Sequence, residues 1–116
     1  MAFSVFVVVI GLLFMGGGAA KLAGVAVMRG DAKRFGFNYS VYRLIGAAEL
    51  AGGLALCAAR FAQQPLLGIS AAIGLTALMF GAVAVHIKAK DAVAKAVPAG
   101  AFGLAAAAIA YFFAAS

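Results

Sequence analysis

Four apolar runs, each about as long as a bilayer is thick, constrain this chain more than any other feature. They cover Ala2 to Ala20, Val41 to Ala59, Leu66 to Val85, and Val97 to Ala115. A helix needs roughly 20 apolar residues to cross the hydrocarbon, so four crossings take about 80 of the 116 residues and leave about 36 for connectors and ends. Four spans are therefore the ceiling. The first run is broken by Lys21 and continues toward Met28, which places helices near 3–28, 41–60, 65–86 and 96–115. Pro65 and Pro98 stand near two of the starts, where a missing N–H leaves no helical bond unmade. A membrane β-barrel needs segments of about ten residues that alternate polar and apolar, and none is present. The expected fold is an all-α integral membrane protein, a four-transmembrane-helix bundle forming a single membrane domain over residues 1–116.

Composition agrees and excludes the soluble classes. Only 10% of residues are charged and 67% are hydrophobic, with a mean hydropathy of +1.16. A soluble domain of this size has too much surface to cover with so few polar groups. The net charge of +6 would suggest nucleic acid in a soluble protein. Here it sits between apolar runs, where it reads as topology and anionic-lipid contact, so the expected partner is the bilayer and not nucleic acid.

Cation placement also predicts an orientation. Arg29, Lys33, Arg34, Arg43, Lys88, Lys90 and Lys95 lie in the first and third connectors, which share one side, against Arg60 alone on the other. The positive-inside rule then puts both termini outside the cytoplasm of a bacterial inner membrane, which a reporter fused to the C-terminus checks. No basic residue precedes the first apolar core, so a cleaved signal peptide is not expected. Tyr111, Phe112 and Phe113 are expected at the far interface, where aromatic rings often sit. Met15, Met28 and Met79 fall in or beside apolar runs and are expected in the core or facing lipid. Arg29-Gly30-Asp31 and Asn38-Tyr39-Ser40 spell an adhesion tripeptide and a glycosylation acceptor, but on the cytoplasmic side neither would act. Cys57 is the sole cysteine and lies within an apolar run, as a small packed side chain does.

Chemistry is expected where polarity is costly. Glu49, the sole Glu, lies six residues beyond Arg43, about 9 Å along a helix. Its stripe at offsets of three and four holds Gly46, Gly52 and Gly53, a surface that another helix can approach closely. Glu49 should therefore face protein. Lys21 has a matching stripe of Phe14, Gly17, Gly18 and Gly24, so a Lys21–Glu49 pair is the economical expectation. His86 ends the third span on the same side, Asp91 follows five residues later, and Tyr42 lies seven residues before Glu49, about two helical turns. Lys21, Tyr42, Glu49, His86 and Asp91 are thus the candidate ligand or proton site, with no catalytic role assigned. A purely structural ion pair, an interfacial His86 and a helix-capping Asp91 stand beside that reading. One His and one Cys cannot supply a zinc or iron–sulfur ligand set, and no metal is expected.

The run Gly17-Gly18-Ala19-Ala20-Lys21-Leu22-Ala23-Gly24 resembles the DoxX-like family of small bacterial membrane proteins. So do Tyr42-Arg43-Leu44-Ile45-Gly46-Ala47-Ala48-Glu49-Leu50-Ala51-Gly52-Gly53 and the following Leu56-Cys57-Ala58-Ala59-Arg60. Gly81 to His86 and on to Asp91 is similar to that family's His-x-x-x-Gly-Asp ending, with Lys90 in place of the Gly. The resemblance covers nearly the whole chain. It implies a four-helix membrane bundle in which Lys21, Glu49, His86 and Asp91 form the family's polar cluster. The family is named for a subunit linked to thiosulfate and quinone redox chemistry, and some members are tied to membrane-associated oxidoreductase assemblies. The expected role is a redox-associated subunit that binds a quinone or another lipophilic molecule. Two alternatives stay open, a proton-coupled small-molecule transporter and a non-enzymatic assembly component. Small multidrug transporters share the length and the single membrane Glu, but theirs is in the first helix. Thin Gly- and Ala-rich helices leave little interior, which suits pairing with a second copy of the chain or with a redox partner protein.

Overall fold

The computed structural model describes residues 2–115. They form five helices: α1 (Ala2–Ala23), α2 (Ala26–Phe35), α3 (Tyr39–Phe61), α4 (Pro65–Lys88) and α5 (Val93–Ala115). All but α2 are long and apolar enough to cross a membrane. Leu12, Leu54 and Leu104 are more than half exposed on their outer faces, which in lipid incurs no penalty.

The first helix stops earlier than the apolar run predicts. Gly24 takes a left-handed φ of 72°, and α1 therefore ends at Ala23 rather than near Met28. The expected connector over Arg29 to Ser40 is largely a helix instead. In α2 the stripe Met28, Ala32, Phe35 recurs at i, i+4 and i+7 and turns inward, and Ala32 is fully buried. Gly36, with φ 79°, closes α2 as its amide donates to the Lys33 carbonyl, while the Phe37 amide donates to Ala32. Asn38 then caps α3 by accepting from the Ser40 amide at 3.0 Å. A capping role thus accounts for the Asn of the acceptor-like tripeptide.

Pro65 opens α4 as expected. Pro98 does not open α5, which begins five residues earlier at Val93. Proline cannot donate to the carbonyl one turn back, so the Ala94 carbonyl has no Pro98 N–H to accept. That is tolerable so near a helix start.

Packing is built from two helix pairs. The α1–α3 and α4–α5 contacts are the most extensive, and α3 against α4 joins them. The α1–α3 crossing is close because glycines oppose each other at two levels, Gly11 with Gly53 and Gly18 with Gly46. A Cβ at Gly11 would lie 2.9 Å from the Gly53 carbonyl oxygen, and one at Gly46 would lie 2.8 Å from that of Gly18. Cys57 packs its sulfur against Gly11 in the same seam. Val7, Leu56, Ala72, Leu75, Ala106 and Ile109 fill the axis between the pairs. Ser70 and Thr76 satisfy their hydroxyls on carbonyls four residues back, at 2.8 and 2.7 Å.

The first and last spans meet through rings, with Phe14 and Phe102 at 5.4 Å and Phe3 against both Phe112 and Phe113. Both ends of the described chain therefore lie at one end of the bundle. Phe113 corrects the aromatic-belt expectation, because it turns inward onto Gly68 while Tyr111 and Phe112 stay exposed.

Candidate functional site

At the end of the bundle covered by α2, the two helix pairs separate around a cavity of about 630 Å³. All five helices line it. Phe14, Met79 and Phe102 supply much of the apolar wall, and Lys21, Asp31, Tyr42, Glu49, His86 and Lys95 its polar groups. Met28 and Met79 are thus cavity residues rather than lipid-facing ones.

Glu49 is 4% exposed and is the one buried charged residue among those described. Lys21 Nζ lies 2.7 Å from Glu49 Oε1. The contact is ionic but lacks hydrogen-bond alignment, and Oε1, fully shielded, accepts no hydrogen bond. Gly17 on α1 makes room for the other oxygen, since a Cβ there would lie 3.3 Å from Oε2. Tyr42 is buried, with the Lys21 ammonium 5.4 Å from its ring centroid. Tyr39 donates its hydroxyl to the Lys21 carbonyl at 2.6 Å, beside the longer bond that carbonyl accepts from the Gly24 amide at the end of α1.

His86 and Asp91 form a second station. His86 Nδ1 lies 2.7 Å from Asp91 Oδ2, and the Phe35 ring packs nearly perpendicular to the imidazole, at 5.0 Å between centroids. Asp91 also takes Arg34 of α2, through both oxygens, and Arg34 in turn holds Asp31 at 2.9 Å. His86 lines the cavity whereas Asp91 stands behind it. The side chain of Asp91 is engaged with these partners rather than capping α5. The candidate residues therefore divide into two groups: Lys21, Glu49 and Tyr42 inside, and His86 with Asp91 at the rim.

Lys90 holds Asp91 in place. It adopts a left-handed φ of 59°, at the position where a Gly would be at ease. The tight turn forms all the same, as the Asp91 amide reaches the His86 carbonyl at 3.0 Å.

Sequence reasoning missed α2 and with it Asp31, Arg34 and Phe35. The signal was present as the Met28, Ala32, Phe35 stripe with an i,i+3 Asp31–Arg34 pair. Charge density across the segment concealed it.

Arg34 and His86 hold the Asp91 carboxyl below the usual carboxylate range, chiefly through the hydrogen bond from Arg34. A depressed value means that the clasp on α2 is fully present above the ordinary carboxylate pKa, about 4, and is lost as pH falls through the lower folded value. Hydrogen exchange of the α2 amides, corrected for intrinsic rate, should therefore stay slow from pH 7 to about 4 and quicken only below it. Asp91→Asn should quicken it at pH 7. Loss of protection in the wild type near pH 6 would contradict the clasp.

Among the described residues, no three His, Cys, Asp or Glu side chains gather where a metal ion would be held. A family model described as the DoxX-like family matches residues 5–110, nearly the whole chain. No curated protein and no solved structure matches.

Proposed function

The chain belongs to the DoxX-like family, and from that premise we propose that this multi-pass membrane protein is a redox-associated subunit whose cavity binds a quinone or another lipophilic small molecule. The observation that carries the proposal is the cavity itself. It is within the usual range for small-ligand sites, about 300–1,000 Å³, mostly apolar, and walled by a buried ion pair. Phe14 and Phe102 suit the faces of a ring. Glu49, set beside Lys21 in the cavity wall, suits a ligand that donates a hydrogen bond to a carboxylate. A quinone, when bound, supplies the electron-carrying chemistry. The residues of this chain bind it, exclude water and hold a proton beside it. Buried titratable groups in a cleft are commonly functional, and ionisable groups within membrane helices are more so. The basic connectors support placing the α2 end at the cytoplasmic face of a bacterial inner membrane. A redox partner protein or a second copy of the chain would complete the assembly.

The test is purification of the wild type and Glu49→Gln in mild detergent, with co-purifying lipophilic species identified by absorbance and mass spectrometry. The wild type is expected to retain a quinone-class molecule and the variant to lose it. An empty wild type, with the variant changed only in melting temperature, would overturn ligand binding and leave the pair a structural fastener.

A further inference from the structure

His86 differs from the other polar groups of the cavity in how it is held. One ring nitrogen, Nδ1, is engaged by Asp91 at 2.7 Å. Asp91 is fixed from behind by Arg34, and Arg34 by Asp31. The Phe35 ring, packed nearly perpendicular to the imidazole, restrains its plane. An Nδ1–H donated to a carboxylate sets the tautomer of an imidazole and leaves Nε2 as a lone-pair acceptor. His86 lines the same cavity as Lys21 and Glu49, and its side chain keeps partial exposure.

We infer that His86 Nε2 is a proton relay between the Lys21–Glu49 cavity and water, with Asp91 the residue that positions it. The inference rests on the reading that the cavity takes a ligand with an exchangeable proton. Nε2 accepts a proton arriving from the cavity and becomes an N–H, while Nδ1 keeps its own proton on Asp91. The imidazolium charge is offset by the Asp91 carboxylate. Nε2 then gives the proton to water, and the neutral tautomer returns. The charged groups around this step are Asp91 behind the ring, Arg34 and Asp31 on α2, Lys95 on α5, and the Lys21–Glu49 pair across the cavity. A merely interfacial histidine would need neither the carboxylate behind it nor a place in the cavity wall.

The chain has a single histidine, which makes the test direct. Nitrogen-15 labelling of histidine in the micelle- or nanodisc-embedded protein gives one pair of imidazole resonances. At neutral pH the wild type is expected to show Nδ1 protonated and Nε2 bare. Asp91→Asn should lose that preference, and Asp91→Glu should restore it in part, which separates positioning from misfolding. Decylubiquinol added as the probe should shift the Nε2 resonance in the wild type. Probe retained by the protein with Nε2 unmoved overturns the relay and leaves the ligand reading standing. Probe not retained at all overturns the ligand reading and the relay with it. A wild type with Nε2 protonated and Nδ1 bare overturns the assignment of Asp91 outright.

Discussion

Lys21→Met should destabilise the folded protein by about 3–4 kcal/mol at pH 7. The variant removes the only ion contact to Glu49 Oε1 among the described residues, on a side chain that is 6% exposed. Removing one partner of a buried pair strands the other, and measured losses run at about 3–5 kcal/mol. The double variant, Lys21→Met with Glu49→Gln, should recover most of the stability, since no charge is left without its partner. Glu49→Gln alone should lose less than Lys21→Met. Its stranded ammonium sits on a flexible stem near the end of α1 and can reach toward headgroups. Glu49 has no such escape, being ten residues into α3. Detergent-denaturant titration of the three variants decides the matter. Strictly additive losses would show that Lys21 and Glu49 do not depend on each other.

Gly46→Ala should be nearly as damaging, at about 3 kcal/mol, although it adds a single methyl. Its Cβ would fall 2.6 Å from Lys21 Cβ and 2.8 Å from the Gly18 carbonyl oxygen. Overpacking of this kind typically costs about 1–3 kcal/mol, and here the opposing atoms include backbone that cannot rotate away. Pushing α1 off α3 also draws Lys21 from Glu49, so part of the ion-pair loss adds to the steric one. Gly16→Ala is the control. Nothing lies within 4 Å of its Cβ position, so the gain in helix propensity, about 0.5–1 kcal/mol, should appear unopposed. Equal effects at the two glycines in the same titration would show that the helices do not cross there.

Both predictions rest on residues that stand out in the sequence for a physical reason. A lone Glu and a lone Lys, each on a glycine-rich helical stripe, must face protein in a bilayer, and facing protein they have few partners to choose from. Gly11, Gly18, Gly46 and Gly53 are legible as small faces but not as partners. Which glycine meets which depends on the antiparallel offset of α1 and α3, a property of neither helix alone. The position of Pro98 was misjudged because apolarity marks where a helix enters lipid, not where its hydrogen bonds begin. Those start at Val93, among polar residues.

The rim of the cavity was the least legible part. Arg34 and Asp91 are 57 residues apart, and no periodicity links them. Asp31 reads as an ordinary charge in a connector until α2 folds back over the bundle and brings Arg34 between the two carboxylates. Lys90 in a left-handed turn is likewise disfavoured locally and is held by the contacts that Asp91 makes.

The sequence by itself determined that this chain is a four-span helical membrane protein and which few residues are polar enough to matter inside it. Hydrocarbon imposes that result residue by residue, through apolar length and the penalty on an isolated charge. Only the tertiary structure decided that those residues form two stations around one cavity under a strap. That arrangement depends on helix offsets and on one short amphipathic segment, whose energies arise between elements and leave no local pattern in the chain.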